Sequence, residues 1–452
     1  MEKIKEPSMT IGIIWKEMLT FFFPLFLGNV LQQIYNVVDT IIVGKFVGAE
    51  ALSAVGGPDS AILFLYIFFF VGISSGATVV VAKYYGAQDG KKVSNAVHSS
   101  IMLGIIIGPA LAVIGWLTAE PFLRILNTPD EIMDMSLDYL NIYLVGFIFA
   151  NMGNMAAGIM RGVGDSKRPF YYLLVSTIIN IVLDVVFVCF FKWGVAGAAW
   201  ATNIAQFVSA ALAMRALMVT DGPHRFSIKA CKLHRNETIE ILRIGLPNAI
   251  RSTMFSISNV LVQAAINSFS TLYIAGAAIE AKVDGIFFMI NESFGNTLIT
   301  FIGQNYGAQK KERIIKGIRW SLLFCCSTAI IVSVLALLFV RPIAWAFTDE
   351  AQVVEIVRLT FWVIMPPLII CAFMEVLSGT MTGLEHSIEP TIATLVGACF
   401  VRVAWAYLVV PSVVAAKSVK WVLLMVSWPA GWVAVVILDF IFYLRVKKKE
   451  GI

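Results

Sequence analysis

Apolar residues fill this chain in stretches long enough to cross a bilayer, about 20 residues each at 1.5 Å rise per residue. Charge clusters and Gly/Pro turns divide them into twelve spans. Six lie at residues 17–43, 57–82, 95–118, 132–160, 169–191 and 194–218, and six more at 240–268, 274–303, 317–341, 353–382, 390–413 and 419–444. The pattern predicts twelve transmembrane helices and an all-α integral membrane protein.

Composition agrees: of 452 residues, 59% are hydrophobic and 14% charged, against about 25% charged in soluble domains. The polar surface is too small to cover soluble globules, so the bilayer is the first expected partner. The net charge of +5 could point to nucleic acid, but its placement gives orientation instead, because cytoplasmic loops retain Lys and Arg. With the N-terminus inside, inner segments hold Lys3, Lys5, Lys83, Lys91, Lys92, Arg161, Lys167, Arg168, Arg225, Lys229, Lys232, Arg235, Lys310, Lys311, Arg313, Lys316 and the run Arg445 to Lys449. Outer segments hold only Lys45, Arg124, Lys192, Arg341, Lys417 and Lys420. The expectation is a multi-pass cell-membrane protein with both termini cytoplasmic and no nucleic-acid partner. The first apolar run is long and has no A-x-A site, so it reads as a retained helix rather than a signal peptide. The six cysteines show no C-x-x-C spacing and read as packing residues.

The chain repeats itself. Tyr85-Gly86-Ala87-Gln88 returns 221 residues on as Tyr306-Gly307-Ala308-Gln309, and at the same offset Pro121 matches Pro342, Gly158 Gly379, Met160 Met381, Gly162 Gly383, Ser166 Ser387 and Pro169 Pro390. The reading is an N-terminal six-helix lobe at 1–218, a cytoplasmic linker at 219–237 and a C-terminal six-helix lobe at 238–452. Six crossings are even, so the repeats are parallel. Two such lobes can rock about a central cleft, which is a transporter layout and would suffice as a monomer.

The run Gln32-Gln33-Ile34-Tyr35-Asn36-Val37-Val38-Asp39, followed by Gly48-Ala49-Glu50-Ala51-Leu52-Ser53-Ala54-Val55-Gly56, resembles the multidrug and toxic compound extrusion (MATE) family. The two Tyr-Gly-Ala-Gln segments and the turn Gly158-x-x-Arg161-Gly162-x-Gly164-Asp165-x-x-x-Pro169 are similar to it too, so the resemblance covers essentially the full chain. It implies a twelve-helix, two-lobe fold that exports amphipathic, often cationic compounds in exchange for H⁺ or Na⁺. It also implies, in the branch coupled through the N-terminal lobe, cation-coupling residues at Asp39, Asn180, Asp184 and Thr202. An acid that some members carry in the seventh helix is missing between Arg243 and Tyr273.

The residues lead to the same four positions. A carboxylate inside a membrane span is costly unless protonated, paired or facing water, so each is a functional candidate. Counted from the nearest outer landmark, Asp39, Asp184 and Thr202 lie about 9 to 14 Å below the outer boundary, and Asn180 and Asp184 project from one helix face. Two buried like charges favour protonation, while carboxylate, amide and hydroxyl oxygens also suit a hard cation such as Na⁺. The sequence leaves H⁺ and Na⁺ both open. Tyr139, Asn151 and Asn154 could extend this network or act as interhelical glue. Glu375 and Glu292 could contact a cationic substrate or sit at a polar seam. Met152, Met155, Met254 and Phe287 could supply adaptable apolar walls or simply pack. Prolines inside apolar spans, Pro24 above all, mark places where a helix can bend.

There is no G-x-x-x-x-G-K-[ST] loop and no recognisable nucleophile–base arrangement, so the chain reads as an ion-driven transporter, not an enzyme, with no cofactor. Rival readings are a flippase for lipid-linked sugars, an exporter of a single endogenous metabolite, and an uncoupled channel or sensor. A pyrophosphate cargo would favour basic residues in the cleft, whereas the intramembrane charges here are mainly acidic apart from Arg251 and Arg402.

Overall fold

The computed structural model describes residues 8–56, 58–126 and 128–452, without the side chains of residues 8, 58–65 and 68. Lys3 and Lys5 of the charge argument lie outside the described residues.

Apolar runs fold into helices here because in hydrocarbon a backbone group finds its partner only within the segment. Among the described residues twelve long helices or bent helix pairs result, and seven of them, or nine with the two bent pairs, are by length and composition apolar enough to cross a membrane. The first six are α1 (Ile14–Phe46), α2 (Pro58–Gly86), α3 (Gly90–Ile125), α4 (Asp130–Val145 and Phe147–Gly162), α5 (Lys167–Phe190) and α6 (Gly194–Val219). The second six are α7 (Arg235–Asn267), α8 (Thr271–Gly307), α9 (Lys311–Leu338), α10 (Ala351–Ile364 and Leu368–Gly383), α11 (Ile388–Ser412) and α12 (Lys417–Glu450). Large side chains such as Leu117, Phe190, Leu338 and Phe400 are exposed on them, as lipid-facing positions would be.

Two spans expected as single helices are broken. α4 bends by 46° at Gly146 and α10 by 45° just after Ile364. The second break falls at Pro366 and Pro367, where backbone donors are missing. The first is a close approach: a Cβ on Gly146 would collide with the Asn203 side-chain oxygen, so only glycine lets α6 come this near.

The chain forms two compact units. The first is built mainly of Leu19–Ala249, with Gly307–Gln309, and the second of Ile250–Tyr306 and Lys310–Ile452, with Ile13–Met18. In the first, α2 and the leading half of α7 meet almost backbone to backbone. A Cβ on Gly72 would collide with Ala249, and one on Gly245 would stand 2.9 Å from Ile73 Cα. Small residues at such crossings replace the hydrophobic drive that lipid removes. Asn248 Nδ2 donates to Ser75 Oγ at 2.8 Å across the same crossing.

In the second unit the end of α12 is fastened at several points. Gly451 caps the helix in the left-handed region, φ 65°, as C-terminal glycines do. The Lys311 ammonium donates to the Glu450 carbonyl at 2.7 Å, Tyr306 donates to the Glu450 carboxylate at 2.8 Å, and His386 Nε2 lies 3.2 Å from that carboxylate. The repeat extends to torsion angles: Gln88 (φ 56°) and Gln309 (φ 58°) are both left-handed, and the amides of Asp89 and Lys310 close the same turn onto Tyr84 and Asn305 carbonyls.

Candidate functional site

The first unit gathers its intramembrane polar residues from α1, α5 and α6. Asp39 on α1 is 8% exposed, Asn180 and Asp184 on α5 are 1% and 0% exposed, and Thr202 on α6 is 1% exposed. Tyr35, one turn before Asp39, shares a 2.9 Å hydrogen bond with Thr202 Oγ1 and thereby joins α1 to α6. Asp184 is near enough to Asp39 to feel its charge.

The unusual feature is how little these groups bond to. Both carboxylate oxygens of Asp184, both amide atoms of Asn180 and Oδ1 of Asp39 are buried without a hydrogen-bond partner. Buried polar atoms are almost always satisfied, and one that is not calls for a proton, a water or an ion. The oxygens of Asp39, Asp184 and Asn180 form an acceptor-rich set. That composition fits either a protonated carboxyl pair or an oxygen-coordinated monovalent cation. Among the described residues no group of three His, Cys, Asp or Glu has the spacing of a metal centre.

Local backbone sharpens the picture. α5 leaves α geometry immediately after Asp184 and runs as a π-helix over Val185–Phe190, and such segments recur at functional sites because they re-aim the neighbouring side chains. Tyr143 on α4 accepts from Gln206 Nε2 at 3.2 Å and packs its ring against Tyr139 at 5.9 Å and Phe147 at 5.9 Å. Tyr35, Tyr143 and Gln206 were not singled out from sequence. For Tyr35 a signal existed, since it lies four residues before Asp39 and therefore on the same face.

Asn151 donates to the Gly104 carbonyl at 3.0 Å, tying α4 to α3, and Asn154 donates to Ala150 within its own helix. Among the described residues neither amide bonds to the acid pair. Met155 is fully buried and would meet any side chain added at Gly104, while Met152 is half-buried.

In the second unit, Phe287 is fully buried against Phe288. Met254 and Glu375 are half-buried and Glu292 is exposed. A Cβ on Gly295 would collide with Glu375 Oε1, so α8 closes directly over that carboxylate. Ser378 donates to Asp439 at 2.8 Å, a buried acid on α12 that was not considered from sequence. Arg402 on α11 is 1% exposed.

Long apolar helices in two compact units, one of them holding a buried acid pair, define a multi-pass membrane protein. A family model described as MatE matches the chain twice, over residues 24–186 and 247–408, and the chain belongs to that family. It is 27% identical, over 100% of its length and 99% of the relative's, to a protein of Bacillus subtilis named "Probable multidrug resistance protein YoeA". It is 22% identical, over 80% of its length and 79% of the relative's, to a Shewanella oneidensis protein named "FAD transporter". A solved structure of a multidrug resistance MATE family transporter of the MOP superfamily, in an outward-facing conformation, superposes with a TM-score of 0.90 over 100% of both chains at 21% identity. The twelve-helix, two-lobe fold is that of these transporters.

Proposed function

We propose that the protein is a secondary active exporter of amphipathic, often cationic, small molecules, driven by the return of H⁺ or Na⁺ through Asp39, Asn180, Asp184 and Thr202. The observation that carries this reading is the set of buried oxygens on Asp39, Asn180 and Asp184 without a partner. An unsatisfied pair of carboxylates in an apolar layer has high affinity for positive charge. Loading with a proton or cation neutralises the layer and lets α1 and α5 draw together; unloading leaves mutual repulsion. Pro24 lies within α1, fifteen residues before Asp39, and a bend there would move the acid relative to α5. Transport then proceeds by alternating access of the two lobes, 1–218 and 238–452, joined by the linker 219–237, in a monomer at the cell membrane with both termini cytoplasmic. Glu375, Glu292, Met152, Met155, Met254 and Phe287 are the proposed substrate contacts.

The test is efflux of ethidium from cells and from sealed vesicles under imposed H⁺ or Na⁺ gradients, for wild type, Asp39→Asn and Asp184→Asn. Export by wild type and loss in both variants at equal membrane levels supports the site, and the effective gradient names the ion. Undiminished export by both variants sinks it. The Shewanella relative named as a FAD transporter supports a second reading, a single endogenous metabolite as cargo; absence of dye movement under either gradient would favour it.

A further inference from the structure

Arg402 is the most deeply buried arginine-centred cluster outside the site above, and its partners are uniform in kind. Its guanidinium donates to Ser258 Oγ from Nε at 3.1 Å and from Nη2 at 2.7 Å, and Nη2 also donates to Asn259 Oδ1 at 2.7 Å. The Ser258 hydroxyl donates in turn to the Ala398 carbonyl at 2.7 Å. The rings of Phe255 and Trp428 lie 5.4 Å from the guanidinium carbon, and Nη1 has no partner. Among the described residues no carboxylate bonds to it. A buried arginine is ordinarily paired with an acid, because an unpaired charge in the membrane interior is expensive. Here neutral oxygens and aromatic faces take that part.

The internal repeat gives this cluster a counterpart. In the first helix of each half the register is 223 residues, with Pro24 matching Pro247 and Asn36-Val37 matching Asn259-Val260. Tyr35 therefore corresponds to Ser258, and Asp39 to Val262, which is buried. In the fifth helix of each half the register starts at 221, Pro169 matching Pro390. α11 then runs as a π-helix over Leu395–Val401, and a π turn takes up one extra residue. At the 221 register Asn180 falls on Val401, and with one residue counted for the π turn it corresponds to Arg402. So the same two helix faces meet in both units: in the first they carry acids and unsatisfied oxygens, and in the second they carry neutral oxygens already occupied by a guanidinium.

We propose that Arg402 is a resident cation, a tethered stand-in in the second unit for the exchangeable H⁺ or Na⁺ of the first, and that it positions α7, α11 and α12 in a permanently loaded arrangement. The inference rests on the reading of Asp39, Asn180 and Asp184 as a cation site. Arginine keeps its charge across the physiological pH range, so this cluster does not exchange its cation, and the exchange event of the cycle is left to the first unit. Arg402 acts through the helices it joins, as a positioning residue.

Chemical rescue tests it. Arg402→Ala and Arg402→Met are reconstituted in proteoliposomes and assayed for gradient-driven ethidium transport, with melting temperature in detergent read alongside. Arg402→Ala is expected to lose transport at least tenfold, to regain most of it with millimolar guanidinium in a saturable way, and to regain nothing with urea, which has the same shape and no charge. Arg402→Met, neutral and of similar length, is expected to stay inactive. Wild-type transport by Arg402→Met overturns the proposal, as does a folded Arg402→Ala that guanidinium does not restore. If Arg402→Ala does not fold, Arg402→Lys decides: transport retained by Lys and lost by Met upholds the charge requirement, and equal loss overturns it. Asp39→Asn in the same assay separates the two readings, since normal exchange by that variant removes the first-unit site whatever guanidinium does for Arg402→Ala.

Discussion

Tyr35 and Thr202, 167 residues apart in the chain, share a 2.9 Å hydrogen bond that ties α1 to α6 beside the acid pair. A hydrogen bond of this kind contributes about 0.5–1.5 kcal/mol net. Tyr35→Phe and Thr202→Val are each expected to weaken dependence on the coupling ion roughly 2- to 10-fold, measured as the shift in the ion concentration giving half-maximal efflux. The double variant should be no worse than the more damaging single one. Additive losses would show that the two side chains act separately.

Asp39 and Asp184 should behave as one unit. Neutralising either removes the repulsion that empties the site, so Asp39→Asn, Asp184→Asn and the double variant are expected to show the same loss of gradient-driven efflux, of the order of tenfold or more. Substrate binding to the purified protein, read by fluorescence, should survive in all three. A double variant far below both singles would mean that each acid serves a separate step.

The crossing of α2 and α7 gives a prediction about stability alone. Gly72→Ala drives a methyl group into the Ala249 backbone, and overpacking of this kind costs about 1–3 kcal/mol. The melting temperature in detergent should drop clearly. Gly285→Ala, where an added Cβ meets nothing within 4 Å, serves as the control and should melt no lower than wild type.

His386, in the turn between α10 and α11, makes the α12 fastening sensitive to pH. Its Nδ1 lies 2.9 Å from Glu389 and its Nε2 3.2 Å from Glu450. The hydrogen bond to Glu389, then that to Glu450, raise its pKa above the ordinary 6.5, against desolvation and the nearby Lys449 charge. A raised folded-state pKa means that this contribution is fully present below pH 6.5 and is lost as pH climbs through the folded-state value. Relative to His386→Gln, the wild type should therefore lose about 1–3 °C of melting temperature on going from acid to alkaline buffer. Parallel melting curves across that range would rule the latch out.

Most of the fold is legible in the sequence because the bilayer enforces it: an apolar run of this length has few options other than a helix, and each of the twelve expected spans overlaps a helix of the structure. The close approach at Gly146 was not legible, since the side chain that comes near it, Asn203, lies on another helix. The π segments after Asp184 and around Arg402 also escape, because Val, Phe and Leu populate α and π turns alike. Carboxylates announce themselves in apolar runs, so Asp39 and Asp184 stand out. Tyr35 is marked in the sequence only by its place four residues before Asp39, since a tyrosine in a membrane helix is otherwise ordinary; its partner Thr202 emerges only in the structure. Asp439 was not considered from the sequence; in the structure it is fully buried and accepts a hydrogen bond from Ser378.

The duplicated Tyr-Gly-Ala-Gln turn supplies the molecule with a built-in replicate. Gln88 and Gln309 hold the same left-handed torsion, and the amide of the residue after each closes the same hydrogen bond, within different surroundings. Glycine would relieve the same Cβ strain at both. Gln88→Gly and Gln309→Gly are thus one chemical change performed twice in a single chain, and any difference between their outcomes reports on the neighbourhoods of the two turns, with the turn itself cancelled out.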